Sequence, residues 1–485
     1  MISFLISLVA LVVGYFVYGR IVERIFGPDD RPTPATTMAD GVDYIVLPPW
    51  RIFMIQFLNI AGTGPIFGAI MGAKFGPSAY LWIVFGCIFA GAVHDYFSGM
   101  LSMRHGGANM PELVGEYLGE RTRKLMLFFS VLLLMMVGVV FVYSPAEILA
   151  RFGGTEVMWI VLIFVYYLLA TMLPVDKIIA RFYPVFAFAL IFMAVALMVV
   201  MLIDMPKIPE LWDGLGNWGA ERLSGFKDQL FPCLFITIAC GAISGFHGTQ
   251  SPIMARCVSS ERMGRPVFYG AMITEGIVAL IWAAVSMYFF YNDPQPGYEL
   301  LEGVTAGVSS SSPAIVTIVC QDWLGVVGGV LAVLGVVAAP ITSGDTAFRS
   351  ARLIIAAAVK LPQKSIKNRY LIALPIFAVA LLLLWWSFSD SEGFQKLWSW
   401  FGWSNQTLAT FTLWTAVVFL VRSRKPYMFV LVPALFMTTV CATFFFISPL
   451  AMGWPEPVAY SLGLLCLVVA IVWFCLWKRR EKTEE

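Results

Sequence analysis

The sequence predicts an all-α, polytopic membrane protein with about 13 transmembrane helices. Three observations carry that prediction: an apolar excess that no single soluble core can hide, apolar runs of spanning length along the whole chain, and cationic residues concentrated in alternate loops. Hydrophobic residues make up 59% of the 485 positions and charged residues 13%. Soluble domains hold roughly 45–50% and about 25%. Bilayer hydrocarbon is the solvent that fits such a chain. A net charge of +2 gives no general attraction for nucleic acid. The 8 cysteines lie mostly inside apolar runs and form no CxxC pair, so they read as packed thiols, not as disulfides or zinc ligands.

A spanning helix needs about 20 mostly apolar residues. Runs of that kind fall near 2–19, 52–73, 78–102, 125–143, 157–173, 184–203, 231–251, 267–291, 324–345, 370–388, 401–421, 427–447 and 457–477. The first has no basic leader and is followed by Arg20-Ile21-Val22-Glu23-Arg24 without a small-residue cleavage pattern, so it reads as a retained helix. No hydrophilic stretch is long enough for a sizeable soluble domain. Of the 32 Lys and Arg, 26 fall in the loops after odd-numbered spans and in the C-terminal segment, and 6 in the other loops. This places the N-terminus outside and Lys478-Arg479-Arg480 in the cytoplasm. One missed span would reverse the parity of every later loop, so charge supports the count independently of hydropathy.

Two spans carry helix-breaking runs. The second reads Asn59-Ile60-Ala61-Gly62-Thr63-Gly64-Pro65 and the seventh Gly241-Ala242-Ile243-Ser244-Gly245-Phe246-His247-Gly248, with Pro252 beyond. Proline removes a donor and glycine is a poor helix former. Irregular backbone at membrane depth is tolerated where it lines a protein cavity, and half-helix ends there hold ions and anionic groups. A kinked helix packed through small residues is the structural alternative. Each break opens a group of five spans. Five is odd, so the second group is inserted inverted relative to the first, as in the leucine-transporter fold. The expected organisation is an N-terminal helix and cytoplasmic loop (1–51), a first repeat (52–203), an external loop (204–230), a second repeat (231–421), and two C-terminal helices with a cytoplasmic tail (422–485).

Charges inside spans are costly and therefore candidates for function. Asp95 shares a small-residue face with Gly91 and Gly99 at i, i+4 spacing. Asp95 with His94 reads as a proton or cation site, or as a structural carboxylate. Glu275 reads as a proton relay or as interhelical glue. Thr342 and Ser343 are adjacent hydroxyls where the leucine-transporter fold supplies a sodium site; back-bonding to their own helix is the alternative. Asp345 belongs to the same ion-coupling set, with a local ion pair to Arg349 as the bland reading. The substrate-binding candidates are Gly62, Thr63, Gly64, Ser244, Gly245, Phe246, His247 and Gln406. Asn405 and Gln406 can also satisfy a helix start. Three scattered histidines give no metal site and nothing implies a cofactor. Tryptophans such as Trp385 and Trp398 sit near span ends as an interfacial belt. Pro111–Lys124 reads as an amphipathic surface segment.

Several long motifs are familiar. Asp29-Asp30 with Pro32-Thr33-Pro34-Ala35, Asp40-Gly41-Val42-Asp43-Tyr44, and Ile60 through Pro65 are three of them. Phe235 through His247, Pro340 through Arg352, and Phe401-Gly402-Trp403-Ser404-Asn405-Gln406-Thr407-Leu408-Ala409 are the others. Together they resemble the carbon-starvation protein A family of bacterial inner-membrane permeases. The resemblance implies uptake of pyruvate or short peptides on a leucine-transporter-related fold, with H+ or Na+ as coupling ion. Ile55 and Gln56 stand where well-known members carry two histidines, so proton handling by those histidines is not carried over. The expected function is a secondary active importer in the bacterial inner membrane; a nutrient sensor that binds without translocating is the alternative. With no HExxH and no catalytic triad, no enzyme is expected.

Overall fold

The structure, a computed structural model, describes residues 1–172, 179–222, 226–291, 311–389 and 393–483. Among them every regular element is a helix. The chain runs through α1 (Ile2–Phe26), the bent pair α2 (Pro49–Ala61) and α3 (Gly64–Phe75), and α4 (Ser78–Arg104). The short α5 (Met110–Leu118) precedes α6 (Glu120–Ala150), α7 (Glu156–Met172) and α8 (Ile179–Asp204). Then come α9 (Leu230–Thr237), α10 (Gly245–Ala255) and α11 (Glu261–Tyr291). The chain closes with α12 (Ser311–Ala358), α13 (Ile366–Ser389), α14 (Gly393–Arg422), α15 (Met428–Ile447) and α16 (Glu456–Thr483).

Among the described residues, 9 helices are long and apolar enough to cross a membrane, and the bent pair α2–α3 makes a tenth. The other expected spans fall on α7, on the divided pair α9–α10, and on α12. Lys177, one of the expected loop cations, lies outside the described residues. The pair α2–α3 with α4, α6, α7 and α8 forms the first group of five. The pair α9–α10 with α11, α12, α13 and α14 forms the second.

Both expected breaks are present. At the first, Gly62 takes φ 39° and ψ −142°, and α3 leaves α2 at 50°. Pro65 follows inside a π-helical turn over Gly64–Gly68, where its missing N–H costs least. At the second, α9 stops at Thr237, Gly241 sits at φ 91°, and extended Ser244 precedes α10. Glycine alone reaches that φ without strain. The two breaks lie against each other: a Cβ on Gly64 would meet Cys240 Sγ at 2.3 Å, and one on Gly68 the Thr237 carbonyl at 3.0 Å. Gly91 of α4 is just as close, its Cβ falling 2.1 Å from the Ala242 carbonyl.

The expected surface segment over Pro111–Lys124 comprises two helical pieces. Gly119 (φ 91°) ends α5, and Glu120–Lys124 already begin α6. The ninth span is preceded by an unexpected helical stretch, 311–324, because Gly325 (φ 64°) bends α12 there. Gln321 and Asp322 interrupt its apolar pattern and hide it in the sequence.

The loop between α1 and α2 straps the adjoining ends of both groups. Thr33 Oγ1 donates to the Val258 carbonyl at 2.6 Å, and Leu47 N–H to the Cys257 carbonyl at 3.3 Å. Asp43 lies 3.7 Å from Arg349 of α12, and Arg104 of α4 holds Glu261 through two bonds of 2.9 Å.

Close packing at Gly91 makes a prediction. Gly91→Ala must push backbone and lower stability by about 1–3 kcal/mol, whereas Gly402→Ala meets nothing closer than 3.4 Å and leaves it unchanged. Thermal unfolding of both variants in detergent tests this; a parental melting curve for Gly91→Ala would contradict the packing.

Candidate functional site

An ionised group deep in the bundle is stable only if paired and hydrogen-bonded. Asp95 of α4 meets that condition through two histidines. His94 Nδ1 lies 2.8 Å from its Oδ1 and His247 Nδ1 of α10 lies 3.0 Å from its Oδ2. An ionised carboxylate only accepts, so both ring protons on these contacts sit on Nδ1. The far nitrogen of His247, Nε2, then faces Glu275 Oε2 of α11 at 3.4 Å. All four residues are fully buried. A chain of acids and imidazoles therefore runs from α4 through α10 to α11. The small face expected around Asp95 is what allows it: Gly99 packs on Phe268 and Gly91 on Ala242.

The second break is stapled from α14. Asn405 Oδ1 accepts the Phe246 N–H at 2.7 Å and the Ser244 hydroxyl at 3.1 Å, capping the start of α10. Gln406 Nε2 donates to the Phe235 carbonyl of α9 at 2.8 Å. The sequence allowed these residues a helix-start role; the start they serve belongs to another helix. Gly245 lies so close to α14 that a Cβ would sit 2.3 Å from the Asn405 carbonyl. The Phe246 ring meets Phe141 of α6 edge-on at 6.0 Å.

At the first break, Gly62 packs under Phe141, and Thr63 is buried with its hydroxyl unpartnered among the described residues. Gln56 and Asn59 are buried on α2, just before the break. Among the described residues, both Asn59 amide atoms and Gln56 Oε1 lack a hydrogen-bond partner. Sequence reasoning passed over Gln56 and Asn59 as site residues. Gln56 and Asn59, three apart, share one face of α2, a usable signal, while Thr63 lies beyond the break at Gly62.

The candidates on α12 separate. Ser343 Oγ donates to the Leu58 carbonyl of α2 at 2.9 Å, tying α12 to the first break. Thr342 Oγ1 bonds back to the Ala338 and Ala339 carbonyls of its own helix, the alternative reading. Asp345 Oδ2 accepts the Tyr183 hydroxyl of α8 at 2.6 Å. Arg349, its expected local partner, reaches Asp43 and donates to the Ala170 carbonyl at 2.8 Å. His94, Asp95, His247 and Glu275 thus come together, Ser343 joins the first break, and Thr342 and Asp345 lie on the α12 face toward Tyr183.

A model of the family described as carbon starvation protein CstA matches residues 1–152, 141–317 and 302–444. An uncharacterized membrane protein of Haemophilus influenzae is 45% identical, over 64% of this chain and 95% of its own length. The peptide transporter CstA of Bacillus subtilis is 26% identical over 97% of this chain and 94% of that one. The pyruvate/proton symporter BtsT of Escherichia coli is 28% identical over 57% of this chain and 48% of that one. Among solved structures, the Eremococcus coleocola manganese transporter gives a TM-score of 0.56 at 11% identity, covering 91% of this chain and 99% of that one. A Na+-coupled sialic acid symporter gives 0.55 at 15%, covering 95% and 96%. At such identities these two bear on the fold alone.

The Asn405 staple is testable. Asn405→Ala leaves the Phe246 N–H and the Ser244 hydroxyl without this partner, so stability falls by about 1–3 kcal/mol. Alkylation of Cys240, mapped by mass spectrometry, should rise as the start of α10 frays. Unchanged stability together with unchanged Cys240 labelling would refute the staple.

Proposed function

Because the chain belongs to the carbon starvation protein CstA family, we propose that it is a secondary active transporter importing a small carboxylate such as pyruvate, or short peptides, across the bacterial inner membrane. One observation carries the reading: two helices, one in each inverted group of five, lose regular backbone where they face each other. A half-helix start favours an anion. The substrate carboxylate binds among Gly62, Thr63, Gly64, Ser244, Gly245, Phe246, His247 and Gln406. There the Phe246 N–H and Ser244 hydroxyl, held by Asn405 in this structure, become its donors. The relatives named for peptide and for pyruvate transport support the substrate class.

The coupling ion is H+ or Na+, and the two have different homes. The Asp95–His247–Glu275 chain with His94 is chemistry for a proton. Ser343 beside the Leu58 carbonyl, with Thr342 and Asp345 on the same helix, offers oxygen only and suits Na+. The excess of Lys and Arg in alternate loops supports an outside N-terminus and a cytoplasmic C-terminus.

Uptake of labelled pyruvate and of dipeptides into proteoliposomes, with the proton and sodium gradients switched separately, tests the function. Glu275→Gln is expected to cut proton-driven uptake at least tenfold and Ser343→Ala to cut sodium-driven uptake similarly. Absence of saturable uptake of either substrate class would remove the reading. Tags on both termini test orientation: in intact cells the N-terminal tag should be accessible from outside and the C-terminal tag protected.

A further inference from the structure

We propose that Cys240, His247 and Glu275 form a binding site for a borderline-soft divalent cation of the Zn2+ class, set in the second break between α10 and α11. The Cys240 sulfur, a His247 ring nitrogen and a Glu275 carboxylate oxygen all lie within 4.8 Å of one another. Each comes from a different segment: the unwound run after α9, the first turn of α10, and the middle of α11. Cys240 is 3% exposed and the other two 0%.

The orientation of His247 is the strongest argument. Asp95 accepts its Nδ1–H at 3.0 Å, which turns Nε2 toward Glu275 at 3.4 Å. A carboxylate behind the imidazole is the arrangement that orients metal-ligating histidines. His94, on the other oxygen of Asp95, fixes that carboxylate in turn. Although fully buried, His247 Nε2 and both Glu275 oxygens make no hydrogen bond among the described residues. Such a pair is satisfied by a second ring proton on Nε2 or by a cation held between nitrogen and carboxylate. The sulfur at the same point selects a thiophilic one over Mg2+ or Ca2+, which prefer oxygen. Thiolate, imidazole and carboxylate supply three ligands of a tetrahedron and leave the fourth position to another donor; the Ser244 hydroxyl lies 3.5 Å from the sulfur. Binding releases the Cys240 thiol proton to solvent.

The site goes beyond the transport reading and is tested without transport. The full-length protein in detergent is titrated to equilibrium with Co2+, then with Zn2+. A tetrahedral Co2+ spectrum with a thiolate charge-transfer band, saturating at one equivalent and lost on adding Zn2+, is expected. Cys240→Ser should abolish the charge-transfer band, while Cys233→Ser keeps it. Asp95→Asn, which leaves the ligands in place and weakens only their orientation, should bind about 10–100-fold more weakly. A spectrum that never saturates, or one that survives Cys240→Ser, overturns the site. Should Cys240→Ser fail to fold, Glu275→Gln decides: affinity equal to that of the parent overturns it.

Discussion

Inside a bilayer, a peptide group cut out of a helix has no water to turn to, and everything distinctive in this fold follows from meeting that demand twice. At the first break the Leu58 carbonyl is taken by Ser343 of α12. At the second, the Phe235 carbonyl is taken by Gln406, the Ile238 carbonyl by the Trp82 indole, and the Phe246 N–H by Asn405. Each donor or acceptor comes from a helix other than the broken one. The breaks therefore cannot form alone. They are properties of the assembled bundle, held open by α4, α12 and α14.

Glycine makes the assembly possible by contact distance more than by flexibility. Gly64 against Cys240, Gly91 against the Ala242 carbonyl and Gly245 against the Asn405 carbonyl leave no room for a methyl group. Two unwound stretches and their staples are thereby drawn into one small volume. A buried charge in that volume finds its partners within hydrogen-bond reach, which is what offsets its removal from water. Close packing and the acid–imidazole chain are two consequences of the same small residues.

How much of this was legible beforehand differs by kind of feature. The breaks were, because Gly-Thr-Gly-Pro and the glycine run before His247 are local statements about backbone. The individual acids were too, since a carboxylate in an apolar run stands out. Their partnerships were not. Asp95 and His247 are 152 residues apart, and no periodicity joins them. Asn405 looked like a residue serving its own helix, because capping is usually local. Thr342 and Ser343 looked equivalent, yet adjacent positions on a helix point about 100° apart, so one reaches Leu58 and the other bonds back. Asp345 and Arg349 have the spacing of an ion pair, but each has a tertiary partner that the spacing could not reveal.

Coupling, on the proposed reading, is a matter of neighbouring residues. Phe246 offers the N–H that an anionic substrate needs, and His247, next along the same half-helix, offers the nitrogen that a cation needs. An anion at the start of α10 and a positive charge at His247 would attract each other, more so than in water. Linkage makes the effect reciprocal: whatever the cation does for substrate affinity, the substrate does for cation affinity. A positive charge at His247 is already flanked by Asp95 and Glu275, so a substrate anion at the start of α10 joins a paired network and is not itself left as a lone buried charge. Stoichiometric coupling then needs no long-range signal, because substrate and ion are bound by consecutive residues of one short helix.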